Sequence, residues 1–459
     1  MKKLISGLMA VAVVGSSAST VVACVKKYKP YNEIYLVTDA GKINDKSFNQ
    51  SGYDGGNEIM NLLGVNEDKQ YDGIGYFQPA TLSELKDGYR NAADSGAKTL
   101  ILPGFKHNED NLKTASELIG KNNGNTILLD GTATDASGKA IENSVGFLFR
   151  ADISAFYSGM ASIIWSLANG NYNTANDGEL KLATFGGIPN GKAVDNFMHG
   201  YLASIDAYNT LKAEEKGKEA IKTLLTSAGA EENSLDKLLN VNVSRISSQD
   251  GSKDLENINF FTNSFDAGKG TEISKKMIGQ GANVVMAVAG PQTGDLLQQI
   301  REANSKTLVV GVDTNQVDSY QTYSDKFITS AEKDLVSATV AGAAMTTYSN
   351  NEAFKTAADE HIKKAVLTED QESKTDWKGE TIYMGGKFSQ GGNNKVDKNL
   401  HDAISLLFKE EYIIASSEYY FENVKDAWNE NLATDFITAY AKTITDKLLA
   451  ATGPESGAE

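Results

Sequence analysis

The sequence predicts an α/β protein of two lobes, each with a parallel sheet, set around a ligand cleft. Short runs rich in β-branched residues alternate with longer stretches of helical periodicity, that alternation occurs twice along the chain, and several runs end in Asp or Gly. The first series is Ile34–Thr38, Gly73–Phe77, Thr99–Leu102, Ile127–Asp130 and Val145–Phe149, with helices between most of them. Such βαβ repetition implies parallel strands, because each crossover helix returns the chain to the same edge. The second series is Leu180–Phe185, Phe260–Phe261, Val284–Val288 and Leu308–Val312, separated by helical stretches such as Asp295–Ala303. Ligands of open parallel sheets sit beyond the carboxyl ends of the strands, which directs attention to Asp39, Asp130, Gly186, Gly290 and Asp313.

Other stretches predict peripheral structure. Residues 213–259 turn charged and Ser/Asn-rich and read as helix plus a surface insertion, and the polar run Glu352–Lys378 reads similarly. From Ala403 to Ala451 the periodicity is helical, with Trp428, Leu432, Phe436 and Tyr440 as an apolar stripe.

Composition excludes several functions. The 459 residues include 44 Lys+Arg against 60 Asp+Glu, a net charge of −16, which argues against nucleic acid as the main partner. Arginine occurs only at Arg90, Arg150, Arg245 and Arg301, so no cluster is available to grip phosphates in bidentate fashion. At the N-terminus Lys2 and Lys3 precede an apolar stretch from Leu4 to Val14, and Val21-Val22-Ala23 leads to Cys24, the one cysteine of the sequence. This reads as a signal peptide over 1–23 closing on a lipobox-like cysteine, with 24–32 as a lipidated linker to an extracellular body. Two acyl chains on Cys24 suffice for stable anchoring to a membrane.

Catalytic motifs fail on inspection. Gly186-Gly187-Ile188-Pro189-Asn190-Gly191-Lys192-Ala193 nearly matches a phosphate loop, but Ala193 offers no oxygen where Ser or Thr must hold magnesium. Asp39-Ala40-Gly41-Lys42-Ile43-Asn44-Asp45 lacks oxygen ligands at the third and fifth positions of a calcium loop. His107, His199, His361 and His401 have no metal-ligand spacing, and no nucleophile elbow occurs. No enzyme, metal or cofactor is expected.

The segment Val37-Thr38-Asp39-Ala40-Gly41-Lys42-Ile43-Asn44-Asp45-Lys46-Ser47-Phe48-Asn49-Gln50-Ser51 is far more specific. It resembles the basic membrane protein family of nucleoside-binding lipoproteins, which look like the purine nucleoside receptor of bacterial ABC importers. The resemblance recurs at Phe147 to Gly159, Phe185 to Gly200, Gly281 to Val285, Val310 to Gln316 and Thr329 to Lys333. It departs in 213–259 and after Asn350, and Asn315-Gln316 stands where the family usually has Asp-Gln.

The resemblance implies a type I periplasmic-binding-protein fold, two Rossmann-like lobes around a cleft, with lobe 1 over 33–150 plus 334–384 and lobe 2 over 151–333 plus 385–455. Hinges are expected near Phe149–Asp152, Thr329–Lys333 and Gly385–Phe388. It also implies Phe48 as the residue stacking on a base. Asp130 and Asp313 suit ribose hydroxyls, because an ionised carboxylate only accepts hydrogen bonds. Lys333 is expected to offset them, Asp39, Ser47 and Asn49 to fringe the base, and Gly290 to admit close backbone approach. Lys46, Phe185 and Phe265 are secondary candidates. Asp39 and Asn49 are equally readable as caps of the first helix, and Phe48 as core. The expected partners are a nucleoside and an ABC permease, for a monomeric receptor. A sugar receptor of the same fold, a surface adhesin and a nucleoside hydrolase are the rival readings.

Overall fold

Burial on both faces turns the apolar runs into parallel sheet. In lobe 1 Ile34, Leu36, Ile101, Ile127 and Leu129 pack on one face, and Tyr35, Val37, Leu100, Leu102 and Leu128 on the other. This is the period of two that a strand imposes. Helices cover both faces, which is why these strands read as continuous apolar runs. The computed structural model describes residues 29–39, 41–175, 178–246, 260–366, 373–410, 412 and 430–451. The expected signal, Cys24 and Trp428 lie outside them.

Lobe 1 runs β1 (Lys29–Val37), α1 (Phe48–Leu62), β2 (Tyr71–Phe77), α2 (Leu85–Asp94), β3 (Thr99–Pro103), α3 (Asp110–Gly120), β4 (Asn125–Leu129) and β5 (Ser144–Phe149). Lobe 2 follows with α4 (Ala151–Ala168), β6 (Glu179–Gly186), α5 (Asp195–Ala213), α6 (Glu215–Ser227), α7 (Leu235–Asn240) and β7 (Asn242–Arg245). It continues through α8 (Thr271–Gly279), β8 (Val284–Val288), α9 (Gln292–Glu302), β9 (Leu308–Asp313), α10 (Gln316–Ser319) and β10 (Phe327–Glu332). The chain returns to lobe 1 for α11 (Leu335–Ala344), α12 (Glu352–Ala357), α13 (Asp359–Ala365) and β11 (Thr381–Met384), then to lobe 2 for β12 (Lys387–Phe388), α14 (Lys398–Leu407) and α15 (Glu430–Ala451).

Among the described residues the sheet orders are β11-β5-β4-β3-β1-β2 and β12-β10-β9-β8-β6-β7. The two orders are the same pattern, so β1 corresponds to β6, β3 to β8 and β4 to β9. All pairings are parallel except β10 with β12. The order reverses between β1 and β3 in one lobe and between β6 and β8 in the other, and those switch points open onto the same cleft.

Two expectations of peripheral structure are corrected. Within 213–259, β7 pairs with β6 as a strand of the lobe 2 sheet, and α6 buries Ile221, Leu224 and Leu225. The four-residue strand Asn242–Arg245 is too short to stand out among charged neighbours. In the polar run after Glu352, Phe354 and Trp377 are buried in the lobe 1 core. The expected strand Phe260–Phe261 is reduced to a single bridge between Phe261 and Gly186.

The chain passes between lobes after Phe149, after Glu332 and between Met384 and Lys387. At the first passage Arg150 donates to both Asp152 oxygens at 2.9 and 2.6 Å, and the Tyr440 hydroxyl of α15 donates to Asp152 Oδ2 at 2.7 Å. A Cβ on Gly386, in the third passage, would lie 2.5 Å from the Arg150 carbonyl oxygen. The passages are therefore packed side by side. Among the described residues no helix is long and apolar enough to cross a membrane.

Candidate functional site

The cleft between the switch points encloses about 570 Å³ of atom-free space, its open mouth included. Both lobes line it: Asp39, Asp45, Phe48, Asn49 and Phe105 from lobe 1 face Val194, Phe265, Val288, Gly290 and Asp313 from lobe 2. Gly104 and Gly290 follow the corresponding strands β3 and β8, and both have positive φ, 115° and 54°. Only glycine fits at 104, where a Cβ would lie 2.0 Å from the Asp39 carboxylate.

The entrance to α1 is organised by Asp45. Its carboxylate accepts the backbone N–H groups of Ser47, Asn49 and Gln50 at 2.9–3.1 Å and the Asn49 side-chain amide at 2.9 Å. An acid at a helix N-terminus satisfies otherwise orphaned donors. Capping therefore falls to Asp45 rather than to Asp39 or Asn49. This fixes Phe48, the first residue of the helix, with its ring on the cavity wall. Asn49 is buried, and its Oδ1 has no partner among the described residues.

At the ends of β4 and β9 stand Asp130 and Asp313, each with φ 65°. Non-glycine residues seldom adopt this left-handed conformation, and Asp tolerates it better than most. Lys333 joins them. Its Nζ donates to Asp130 Oδ2 at 2.7 Å and to the Ala193 carbonyl at 2.9 Å, and lies 3.8 Å from Asp313 Oδ1. The same ammonium sits over the rings of Phe48 at 5.1 Å and Phe197 at 4.9 Å, within cation–π range. Burial pushes the Asp130 carboxyl up to about 7, outweighing the opposite pull of Lys333. Its Oδ1 has no partner among the described residues.

The lobes are closed on each other through this site. Lys333 of lobe 2 reaches Asp130 of lobe 1, and Ser47 of lobe 1 donates its hydroxyl to Asp313 Oδ2 of lobe 2 at 2.7 Å. Lys46 Nζ donates to the Ser319 carbonyl at 2.9 Å and covers the Tyr320 ring. Phe105 and Phe265 meet edge-to-face at 6.4 Å between ring centres.

Of the sequence-predicted residues, Asp39, Phe48, Asn49, Asp130, Phe265, Gly290, Asp313 and Lys333 line the cavity. Ser47 and Lys46 act across the lobe boundary beside it. Phe185 is a correction: it is fully buried with Ala183, Ile273 and Met277. Strand alternation turns it to the face of β6 covered by helix α8, away from the cleft. Asp45, Phe105 and Ala193 were not anticipated. Asp45 had a detectable signal, an acid three residues before a helix start; Phe105 and Ala193 had none.

A two-lobed α/β fold closed around an aromatic and acidic cleft is the class that these elements and this site define. Residues 33–212 and 257–371, well over half of the chain, match the family described as ABC transporter substrate-binding protein, PnrA-like, and the chain belongs to that family. It is 26% identical over 289 residues to the ABC transporter nucleoside-binding protein BmpA of Lactococcus lactis, covering 61% of this chain and 63% of that protein. It is 23% identical over 360 residues to the uncharacterized lipoprotein MG040 of Mycoplasma genitalium, covering 68% of this chain and 59% of that one. The matches thus span under two thirds of either relative's own length. A solved ABC transporter solute-binding protein from Aeropyrum pernix K1 superposes with a TM-score of 0.49 at 15% identity, covering 91% of each chain.

Proposed function

We propose that this chain is a nucleoside receptor, anchored through lipid on Cys24 at the outer face of the cell membrane, that closes its lobes on ligand and delivers it to an ABC permease. The carrying observation is one cavity that combines aromatic rings from opposite lobes, Phe48 and Phe265, with the Asp130–Lys333–Asp313 set. A planar base has ring faces to stack against, and a ribose has vicinal hydroxyls that donate to carboxylates and accept from an ammonium. Asn49 and Asp39 supply polar contacts at the base edge. Free phosphate groups are disfavoured, since four carboxylates, Asp39, Asp45, Asp130 and Asp313, face one ammonium in a low-dielectric cleft. The name of the Lactococcus relative agrees with a nucleoside ligand.

The test is isothermal titration of the chain lacking residues 1–24 against guanosine, inosine, adenosine, uridine and ribose, after removal of any co-purified ligand. Binding at about micromolar Kd or tighter, roughly −8 kcal/mol, by a nucleoside and not by ribose is the expected result. Heat from ribose alone favours the sugar receptor, and silence across the series refutes both. Palmitate incorporation that survives Cys24→Ser refutes the anchor.

A further inference from the structure

Behind the acidic wall of the cleft lies a second chamber, with about 1100 Å³ of atom-free space including its mouth. It too is built between lobes, with Asn108, Thr132 and Thr134 on one side and Pro189, Asn190 and Lys192 on the other. The two cavities share Asp130 and meet across the Lys192–Ala193 peptide. Their partition is the contact of Lys333 with Asp130 Oδ2 and with the Ala193 carbonyl. Resting on the nucleoside reading, we propose that this chamber receives a polar, non-anionic extension of the bound nucleoside's sugar, carried on its 5′ carbon.

Two buried acceptors on this wall are unspent. Asp130 is 5% exposed and its Oδ1 has no partner among the described residues, and neither has the buried Asn108 Oδ1. A buried acceptor left without a donor is destabilising, so the chamber favours an occupant that brings N–H or O–H groups. The surroundings are hydroxyl-rich, with the Thr132 and Thr134 side chains hydrogen-bonded at 2.9 Å.

Charge selects the kind of extension. With Asp130 already paired to Lys333, Glu109 and Asp135 face the chamber against one further cation, Lys192. The Ser137 hydroxyl and the Lys139 N–H hold Asp135 below the usual carboxylate range, so it stays ionised. A phosphate there meets excess negative charge, whereas an amide, a hydroxylated group or an amine does not.

Chemistry selects the point of attachment. Lys333 over Phe48 sets the acidic wall beside the stacking ring, which puts the sugar rather than the base against Asp130. An extension on the 2′ or 3′ oxygen would remove an O–H donor that the carboxylates require. The 5′ carbon carries one without that loss.

The experiment measures affinity for whichever of adenosine, inosine and guanosine binds, for its 5′-N-ethylcarboxamide and for its 5′-monophosphate. The native protein and two chamber variants, Thr132→Trp and Lys192→Trp, are compared. The carboxamide is expected within about 10-fold of the parent and the monophosphate about 100-fold weaker, a gap of roughly 2.7 kcal/mol. Each Trp variant is expected to weaken the carboxamide at least about 10-fold while leaving the parent nucleoside unchanged. Lys192 is exposed, so its variant does not depend on the core tolerating a larger side chain.

Exclusion of the carboxamide by native protein that binds the parent would overturn the chamber alone. So would a carboxamide indifferent to both Trp variants, or a monophosphate bound as well as the carboxamide. Failure of all three parent nucleosides, with uridine silent as well, would overturn the nucleoside reading and this inference with it.

Discussion

Asp130 and Asp313 close equivalent strands of the two lobes with the same left-handed φ of 65°, yet their carboxylates are committed differently. Asp313 takes a neutral donor, the Ser47 hydroxyl at 2.7 Å, and stands 3.8 Å from Lys333. Asp130 takes the ammonium itself at 2.7 Å on one oxygen and leaves the other without a partner among the described residues. The same backbone device thus supplies one acid dressed for closure and one acid held ready for a donor. Repeating a βα unit duplicates where a side chain is presented; the neighbours it meets decide what it does.

Removing the shared cation breaks this contrast most severely. Lys333→Met leaves Asp130 buried without its counter-charge, and loss of one member of a buried pair typically costs about 3–5 kcal/mol. Urea denaturation should show a fall of that order, and titration should show nucleoside binding lost. Native-like stability and affinity in this variant would mean that the ammonium joins neither acid.

Next in size is Asp313→Ala, expected to weaken nucleoside binding by about 100-fold, near 2.7 kcal/mol, with circular dichroism unchanged. Unaltered affinity would remove Asp313 from the site.

A pH response is expected from Asp130. Burial keeps the Asp130 proton bound up to about pH 7, against an ordinary 3.8, so the folded chain holds it more tightly than the unfolded chain. Its contribution to stability is therefore most favourable below about pH 4 and declines as pH rises toward 7, by at most ~1.4 kcal/mol per pH unit. Nucleoside affinity should run the other way over the upper part of that window, because the ionised carboxylate is the better acceptor for ribose. Asp130→Asn should flatten both trends, as read by denaturation and titration at pH 5 and pH 7.5. Slopes that survive the substitution would trace to other groups.

The smallest expected effect belongs to Ser47→Ala, which removes the neutral donor to Asp313. A single hydrogen bond of this kind contributes about 0.5–1.5 kcal/mol, so a loss of several-fold in affinity is expected. A loss as large as that of Asp313→Ala would make Ser47 a ligand contact in its own right.

Much of this site was legible in the sequence because strand ends are. Apolar runs fix where parallel strands stop, and Asp39, Asp130, Gly290 and Asp313 follow at those stops, so the cleft could be assembled from spacing. Phe185 misled for the same reason. Its position near the end of β6 was right, but its side-chain direction depends on the strand's parity relative to the helices above it. The strand β7 escaped notice because its four residues, Asn242–Arg245, carry one buried apolar side chain and gain their sheet partner only from β6.

By itself the sequence determined the α/β class, the acidic and aromatic character of the cleft and the candidate anchor at Cys24, because residue type, period and spacing are local properties of a chain. Tertiary structure alone decided that Lys333 also holds the Ala193 carbonyl, that Tyr440 braces Asp152 at the first passage between lobes, and that Asp130 stands between two cavities. Those contacts join residues up to 288 positions apart. No local preference encodes them; they arise where folded lobes bring distant strand ends and helices within hydrogen-bonding distance.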